Sequence, residues 1–338
     1  MNRQFFYSII FLLLTASLNL KAQHIELSQQ GKPTSIRGLS VVNDNTAWVC
    51  GSKGTIAITN DGGKTWDWTQ VKGFERSDFR DIEAFSNKEA IIMSSGTPAL
   101  ILKTTDGGAT WQEKYRNADT AYFFDAMDFD TPKYGLVLGD PIKGKFLLME
   151  TNDGGETWHP FDNSPDAMPG EACFAASGTC LRISQSHVGI VTGGTNAQFL
   201  NYDVNNKIWE HWPLPIIHSK PSQGAFSFAI GRYNSLFVGG DYAHDKVTDS
   251  TISIQKEIAQ TLMILPFNKS QLAFQSCVEF IFDNTFLSTG TPGSNITSDG
   301  GKTWSKIDNA SYNVCRKAKH GKLVLLAGDH GRIGIFKP

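Results

Sequence analysis

Four short segments of the chain carry an arginine at a recurring place: Ser35-Ile36-Arg37-Gly38, Asp78-Phe79-Arg80-Asp81, Cys180-Leu181-Arg182-Ile183 and Val314-Cys315-Arg316-Lys317. A fifth segment of the same kind, Phe123-Phe124-Asp125-Ala126, offers a carboxylate instead. Guanidinium groups gathered at one depth suit an anion, because the planar fork of Arg donates parallel bonds to a carboxylate or sulfate. Three turns add Asp140, Asp241 beside Tyr242, and Asp329 beside His330. Arg37, Arg80, Arg182 and Arg316, with Glu171, Tyr242 and His330, are therefore the candidate ligand-binding residues. Glycoside hydrolysis would ask instead for two carboxylates roughly 5–10 Å apart. Asp81, Asp125, Asp140, Glu171, Asp241 and Asp329 are the candidates, and the sequence does not choose among them. The same charges also fit a solvated rim tied to loop backbone, since structural ion networks concentrate charge as well.

The elements that must position these groups are announced by an octapeptide that occurs four times, as Thr59–Trp66, Thr104–Trp111, Thr151–Trp158 and Thr297–Trp304. Its aspartates are Asp61, Asp106, Asp153 and Asp299, at intervals of 45, 47 and 146 residues. The last interval is about three periods of roughly 49, so the pattern is that of four-stranded propeller blades, some of which have lost the octapeptide. Asp before Gly-Gly between apolar runs is a hairpin signal, since glycine supplies the positive φ that the turn demands. The carboxylate can accept backbone N–H bonds and the threonines can close the turn. Trp66, Trp111, Trp158 and Trp304 then offer large faces for packing between blades. One carboxylate per turn is too few for a hard cation, so these residues are expected to be structural and no metal is expected. The octapeptide resembles the Asp-box, or BNR repeat, of sialidases, sortilin-type receptors and many bacterial propellers.

A second marker counts the blades. An apolar strand ends in glycine seven times, at Gly51, Gly96, Gly139, Gly194, Gly240, Gly290 and Gly328, at intervals of 38 to 55 residues. The expected fold is all-β, a seven-bladed propeller over residues 23–338. The fourth repeat keeps a degenerate turn from Asn201-Tyr202-Asp203 to Trp209, and the fifth has a polar insertion over 241–251. After Gly328 only the strand Arg332–Phe336 remains, so the strand His24–Ser28 is expected to complete the last blade and close the ring. Inner strands start at the Gly-marker end of the channel and the octapeptides lie at the other. The arginines are expected to converge at the first of these, beside the long loop 163–179, which reads as a lid, a pocket wall or a tie-down.

The chain has 338 residues with a net charge of −2, which gives no reason to expect nucleic acid or an anionic membrane as partner. Arg3, the apolar run from Phe5 to Leu18 and the small residues before Gln23 read as a signal peptide over 1–22, without a cysteine for a lipid anchor. The mature chain is then exported, periplasmic or secreted, without a membrane span, and a monomer. Five cysteines leave at least one unpaired. Cys173 and Cys180 bracket a short loop and are the disulfide candidate, Cys277 and Cys315 could sit level on adjacent inner strands, and Cys50 reads as a small buried hydrophobe. No dinucleotide fingerprint, redox CxxC or haem motif supports an oxidoreductase, and no cofactor is expected.

As a whole the chain resembles the Asp-box propellers that include the photosystem II stability and assembly factors and their relatives in non-photosynthetic bacteria. The resemblance implies a binding module that works through protein contacts at an arginine patch, here Arg37, Arg80, Arg182 and Arg316. A protein partner or an anionic or carbohydrate ligand fits that reading. The alternative is a glycoside hydrolase of the sialidase or glucan-cleaving type. Against a sialidase, the expected Phe/Tyr-Arg-Ile-Pro signature reads Ser35-Ile36-Arg37-Gly38, and such enzymes are usually six-bladed.

Overall fold

In the computed structural model, which describes residues 23–184, 186–258, 261–266 and 272–338, seven antiparallel sheets form the blades of one propeller. The expected signal segment lies outside the described residues. Blade one shows the plan: an inner strand Ile36–Val41, then Ala47–Gly51, Thr55–Thr59 and the outer Asp67–Gln70. The other inner strands are Asp78–Ala84, Phe124–Phe129, Leu181–Ser184, Lys220–Ile230, Cys277–Phe282 and Val314–Lys317. Two short 3-10 turns, Tyr242–His244 and Asp329–Gly331, are the only helical pieces among the described residues. No helix there is long and apolar enough to cross a membrane.

The ring closes as the truncated last repeat requires. Blade seven takes its outer strand from the N-terminus, with His24–Gln29 antiparallel to Ile333–Lys337 and Ile25 opposite Phe336. Two distant stretches of chain thus share one ladder, and the outer edge of Ile333–Lys337 is paired.

The core lies between blades, where alternating side chains from facing sheets interdigitate. Trp48, fully buried, crosses edge-to-face with Trp111 at 6.3 Å and donates its indole N–H to Ser86 O at 2.9 Å. The octapeptide turns are built alike. Asp61 Oδ1 accepts the Lys64 and Thr65 N–H groups at 3.0 and 2.9 Å, Oδ2 accepts the Thr65 hydroxyl at 2.6 Å, and Thr59 Oγ1 accepts the Gly63 N–H at 3.0 Å. Asp106, Asp153 and Asp299 repeat the carboxylate–Thr pairing at 2.6 to 2.7 Å. These hydrogen bonds, led by the second Thr hydroxyl, hold Asp61, Asp106 and Asp153 down at about 2. Gly63 has φ +84, and a Cβ there would press on Leu325 of blade seven, so the turn also seals against the preceding blade. Trp66 and Trp304 donate to the carbonyls of Gly63 and Gly301, whereas the indole N–H groups of Trp111 and Trp158 are buried without a partner.

The inner strands pose a problem that outer strands do not. Their channel-side N–H groups have no further strand to pair with, and a buried orphan donor is costly. Side chains of the preceding blade meet several of them. Ser40 accepts from Ala84 N at 3.0 Å, Asp81 from Met127 N at 2.8 Å, and Asp128 from Ile183 N at 2.6 Å. Ser227 accepts from Val278 N at 2.9 Å, and Cys277 from Cys315 N at 3.3 Å. Each link runs from one blade to the next in the same sense round the ring.

Candidate functional site

The arginine segments differ in their local backbone. Register jumps from Ile36–Gly51 to Gly38–Cys50, from Phe79–Ser94 to Asp81–Met93, and from Phe124–Gly139 to Ala126–Leu138. Arg37, Arg80 and Asp125 therefore sit at the same β-bulge in blades one, two and three, as does Phe226 in blade five, between Ala225–Gly239 and Ser227–Val238. A bulge frees one residue from the ladder and re-aims its side chain. All four lie at the Gly-marker end of the channel.

What they surround is a segment of the chain itself. Residues 174–179 cross the channel mouth as a plug. Arg37 Nη1 reaches Ala176 O at 3.5 Å, Arg80 Nη1 reaches Ala175 O at 3.4 Å, and Arg316 Nη2 reaches Gly178 O at 3.4 Å. Ser177 Oγ donates to Ser276 O at 2.8 Å, and Phe174 stacks on Phe226 with centroids 3.8 Å apart. Gly178, at φ +68, lies so close to Asp81 that a Cβ would fall 2.1 Å from its Oδ2, so only glycine lets the plug seat there. Of the three readings of this loop, tie-down is the one its contacts describe.

The expected convergence of four arginines on one open funnel does not occur. Arg37, Arg80 and Arg316 converge on the plug backbone, while Arg182 turns toward the octapeptide end and pairs with Glu279 at 3.0 Å. Arg37 and Arg80 are bulged out of the ladder, whereas Arg182, opposite Gly189, is held by Glu279; Arg316, also in the ladder opposite Leu325, still reaches the plug. A cavity of 670 Å³ opens at the octapeptide end and is lined by Glu83, Asp128, Arg182, Glu279, Arg316 and Lys319 among others. Lys319 pairs with Glu83 and also donates to Ala84 O at 2.9 Å. Burial pushes Glu83, Asp128 and Glu279 up, while Lys319 opposes this at Glu83 and Arg182 opposes it at the other two.

None of the six carboxylates considered for hydrolysis lines that cavity. Asp81 is buried and accepts the Met127 and Ile82 N–H groups at 2.8 and 2.9 Å. Glu171, also buried, accepts the Thr192 hydroxyl at 2.5 Å, the Gln198 amide at 2.9 Å and the Met168 N–H at 2.8 Å, which knots the base of the plug loop. Asp241 accepts the Gln223 amide at 3.0 Å and the Ala243 N–H at 3.0 Å, capping the turn that carries Tyr242. Asp329 accepts from Ser35 and, at 3.1 Å, from Asn313. Asp140 accepts the Cys173 N–H at 3.4 Å. Asp125 is the exception. It is wholly buried with neither oxygen hydrogen-bonded, the Ala175 N–H approaching without reaching bonding geometry, and burial and then Asp140 push it well up.

Arg37, Arg80, Tyr242 and His330 stand at the Gly-marker end. Arg37 and Arg80 are close enough that, after burial, their mutual repulsion pulls Arg37 below the ordinary arginine value. Arg80 is anchored to Asp78 at 2.8 Å. Tyr242 stands 55% exposed, edge-on to Phe174 and Phe226. His330 is exposed on its 3-10 turn at φ 59. Cys173 and Cys180 are both buried free thiols, so the expected bond between them is not formed, although their side chains interact. Among the described residues no cluster of ligating side chains forms a metal site.

The comparisons with known proteins point the same way as the architecture. Residues 17–118 match the family described as photosynthesis system II assembly factor YCF48. The photosystem II assembly lipoprotein Ycf48 of Synechococcus sp. (strain CC9902) is 28% identical over 138 residues, 40% of this chain. The chain spans only 38% of that relative's length in the match. Among solved structures, YCF48 bound to D1 peptide superposes with a TM-score of 0.68 at 17% identity, covering 94% of this chain and 97% of that one. YCF48 from Cyanidioschyzon merolae gives 0.65 at 15% identity, covering 93% and 99%. The Neurospora crassa Pan2 WD40 domain gives 0.61 at 13%, covering 89% and 88%. This chain is a Ycf48-like seven-bladed β-propeller.

Proposed function

We propose that the protein is an exported binding module of the assembly-factor kind, which docks a segment of a protein partner on its Gly-marker face. Arg37 and Arg80 receive an acidic group of that partner, and Tyr242 with Phe174 receives an apolar one. The observation that carries this reading is the Arg37–Arg80 pair. Two guanidiniums are fixed side by side on rigid bulges: Arg37 makes one long contact to a plug carbonyl, with Asp329 and Asp78 in electrostatic reach, and Arg80 is held by Asp78. An arriving carboxylate relieves their repulsion, and each charge-assisted bond then contributes about 1.5–3 kcal/mol. The peptide-bound structural neighbour and the assembly-factor relative support a protein partner over a free glycan. The apolar run after Arg3 supports export.

The test is a photocrosslinking residue placed at Tyr242, on this face, or at Thr131, on the other, followed by partner capture from the cell envelope. Adducts are expected from Tyr242, lost in the Arg37→Gln/Arg80→Gln double variant and weakened by salt. Adducts from Thr131 alone would overturn the assignment.

A further inference from the structure

We propose that Cys277 and Cys315 are a redox pair that closes to a disulfide between the inner strands of blades six and seven. Both are wholly buried, on neighbouring strands, with their sulfurs 3.6 Å apart. Cys315 N–H also donates to Cys277 Sγ at 3.3 Å, and Cys277 Sγ–H to Cys315 O at 3.3 Å, so the two residues face each other across the blade gap. Closing that gap to the ~2.05 Å of a sulfur–sulfur bond takes a small side-chain rotation and leaves the strands in place. Cys50, by contrast, shares its buried cluster with no other cysteine.

The two thiols are not equivalent. Cys277 Sγ is approached by three donors: the N–H and S–H of Cys315, and the Thr179 hydroxyl of the plug at 3.7 Å. Burial alone would push Cys277 up, but the Cys315 hydrogen bonds and the charge of Arg182 pull it below an ordinary thiol, whereas burial pushes Cys315 well up. Either thiol can open the exchange, and the route from Cys277 serves for both. Cys277 Sγ attacks one sulfur of an external disulfide oxidant, forming a mixed disulfide and expelling one thiolate. Cys315 gives up its proton and attacks Cys277 Sγ, expelling the second thiolate. Two S–H bonds become one S–S bond, and the oxidant is reduced to two thiols. Because both sulfurs are shut in by the plug and by blade seven, the exchange belongs to folding, before the N-terminal strand closes the ring.

The inference rests on export only for its setting in the cell, since disulfides persist in oxidising compartments. The experiment is therefore run on purified protein. Reduced protein is unfolded, refolded with glutathione disulfide, denatured without reductant, alkylated and mapped by mass spectrometry. A linked peptide pair holding Cys277 and Cys315, two hydrogens lighter than the free peptides, is the expected result. Separate alkylation of both, or oxidation confined to Cys173 and Cys180, overturns the proposal. In Cys315→Ser and in Cys277→Ser the remaining cysteine of the pair is expected to keep one glutathione, and its absence in both variants would overturn the exchange route. Export failing in cells while the bond forms in the tube would bear on localisation alone.

Discussion

Replacing Asp125 by Asn should make the protein more stable, which is the opposite of what a buried polar residue usually gives. Asp125 is 0% exposed, neither carboxyl oxygen has a hydrogen bond, and after burial the charge of Asp140 opposes its ionisation most. A buried polar group left unpaired costs about 1–3 kcal/mol. Burial and Asp140 hold its proton affinity well above that of an unfolded aspartate. The sign follows from linkage. Below about pH 4 both states are protonated and ionisation costs nothing. As pH rises the unfolded chain ionises first, so stability falls until the folded carboxyl ionises in turn. Asn cannot ionise. Asp125→Asn is therefore expected to gain about 1–3 kcal/mol at pH 8, or about 2 °C of melting midpoint per kcal/mol, and almost nothing at pH 4. Calorimetry or urea denaturation at the two pH values reads this directly. A loss of stability at pH 8 would mean that Asp125 holds something the described contacts omit. An equal gain at both pH values would mean that ionisation is not the cause.

Further outcomes follow from other contacts. Asp153→Ala removes the acceptor of the Glu156 and Thr157 N–H groups and should cost about 1 kcal/mol after allowing for its exposure, without selective loss of partner binding. Since Asp153 is held at about 2, its contribution is complete above the ordinary aspartate range and fades as pH falls through 2, which acid titration of the melting midpoint checks. Glu171→Ala strands three donors at the base of the plug and should cost about 3–5 kcal/mol, with faster hydrogen exchange over 172–180; unchanged exchange would show the plug to be held by the arginines alone. Deleting residues 23–30 should open blade seven and expose the ring to protease, and a resistant, cooperatively melting product would show the closing strand to be dispensable.

Much of the architecture was legible because it repeats. Four octapeptides and seven glycine-ended strands set the blade count, and the missing strand after Gly328 identified the N-terminal segment that replaces it. The site was less legible. Four arginines fell in similar segments, yet two of them are bulged and two are not, and a bulge depends on pairing with the next strand, which a linear pattern does not display. The plug was legible only as a loop open to three readings, for a related reason. Ala175-Ala176-Ser177-Gly178 has no hydrophobic periodicity, and its smallness has meaning only once seven inner strands converge on it. A sharper signal was present in Asp81. A carboxylate directly after a bulged arginine, with glycine at the equivalent place in blade one, marks a spot where the ring needs an acceptor more than it needs packing.

A propeller channel is usually pictured as a through-passage, but with residues 174–179 seated across one mouth this molecule is a cup. Whatever enters the charged hollow at the octapeptide end must leave by the way it came, so its escape is governed by a single opening. The plugged face is in turn spared any traffic from below. Occupancy of one side can reach the other only through the few bonds of the plug, from Gly178 against Asp81 and Arg316 to Arg37 and Arg80 on the far surface. A hollow on one side and a docking surface on the other, separated by a partition six residues long, can thus be loaded and emptied on separate clocks.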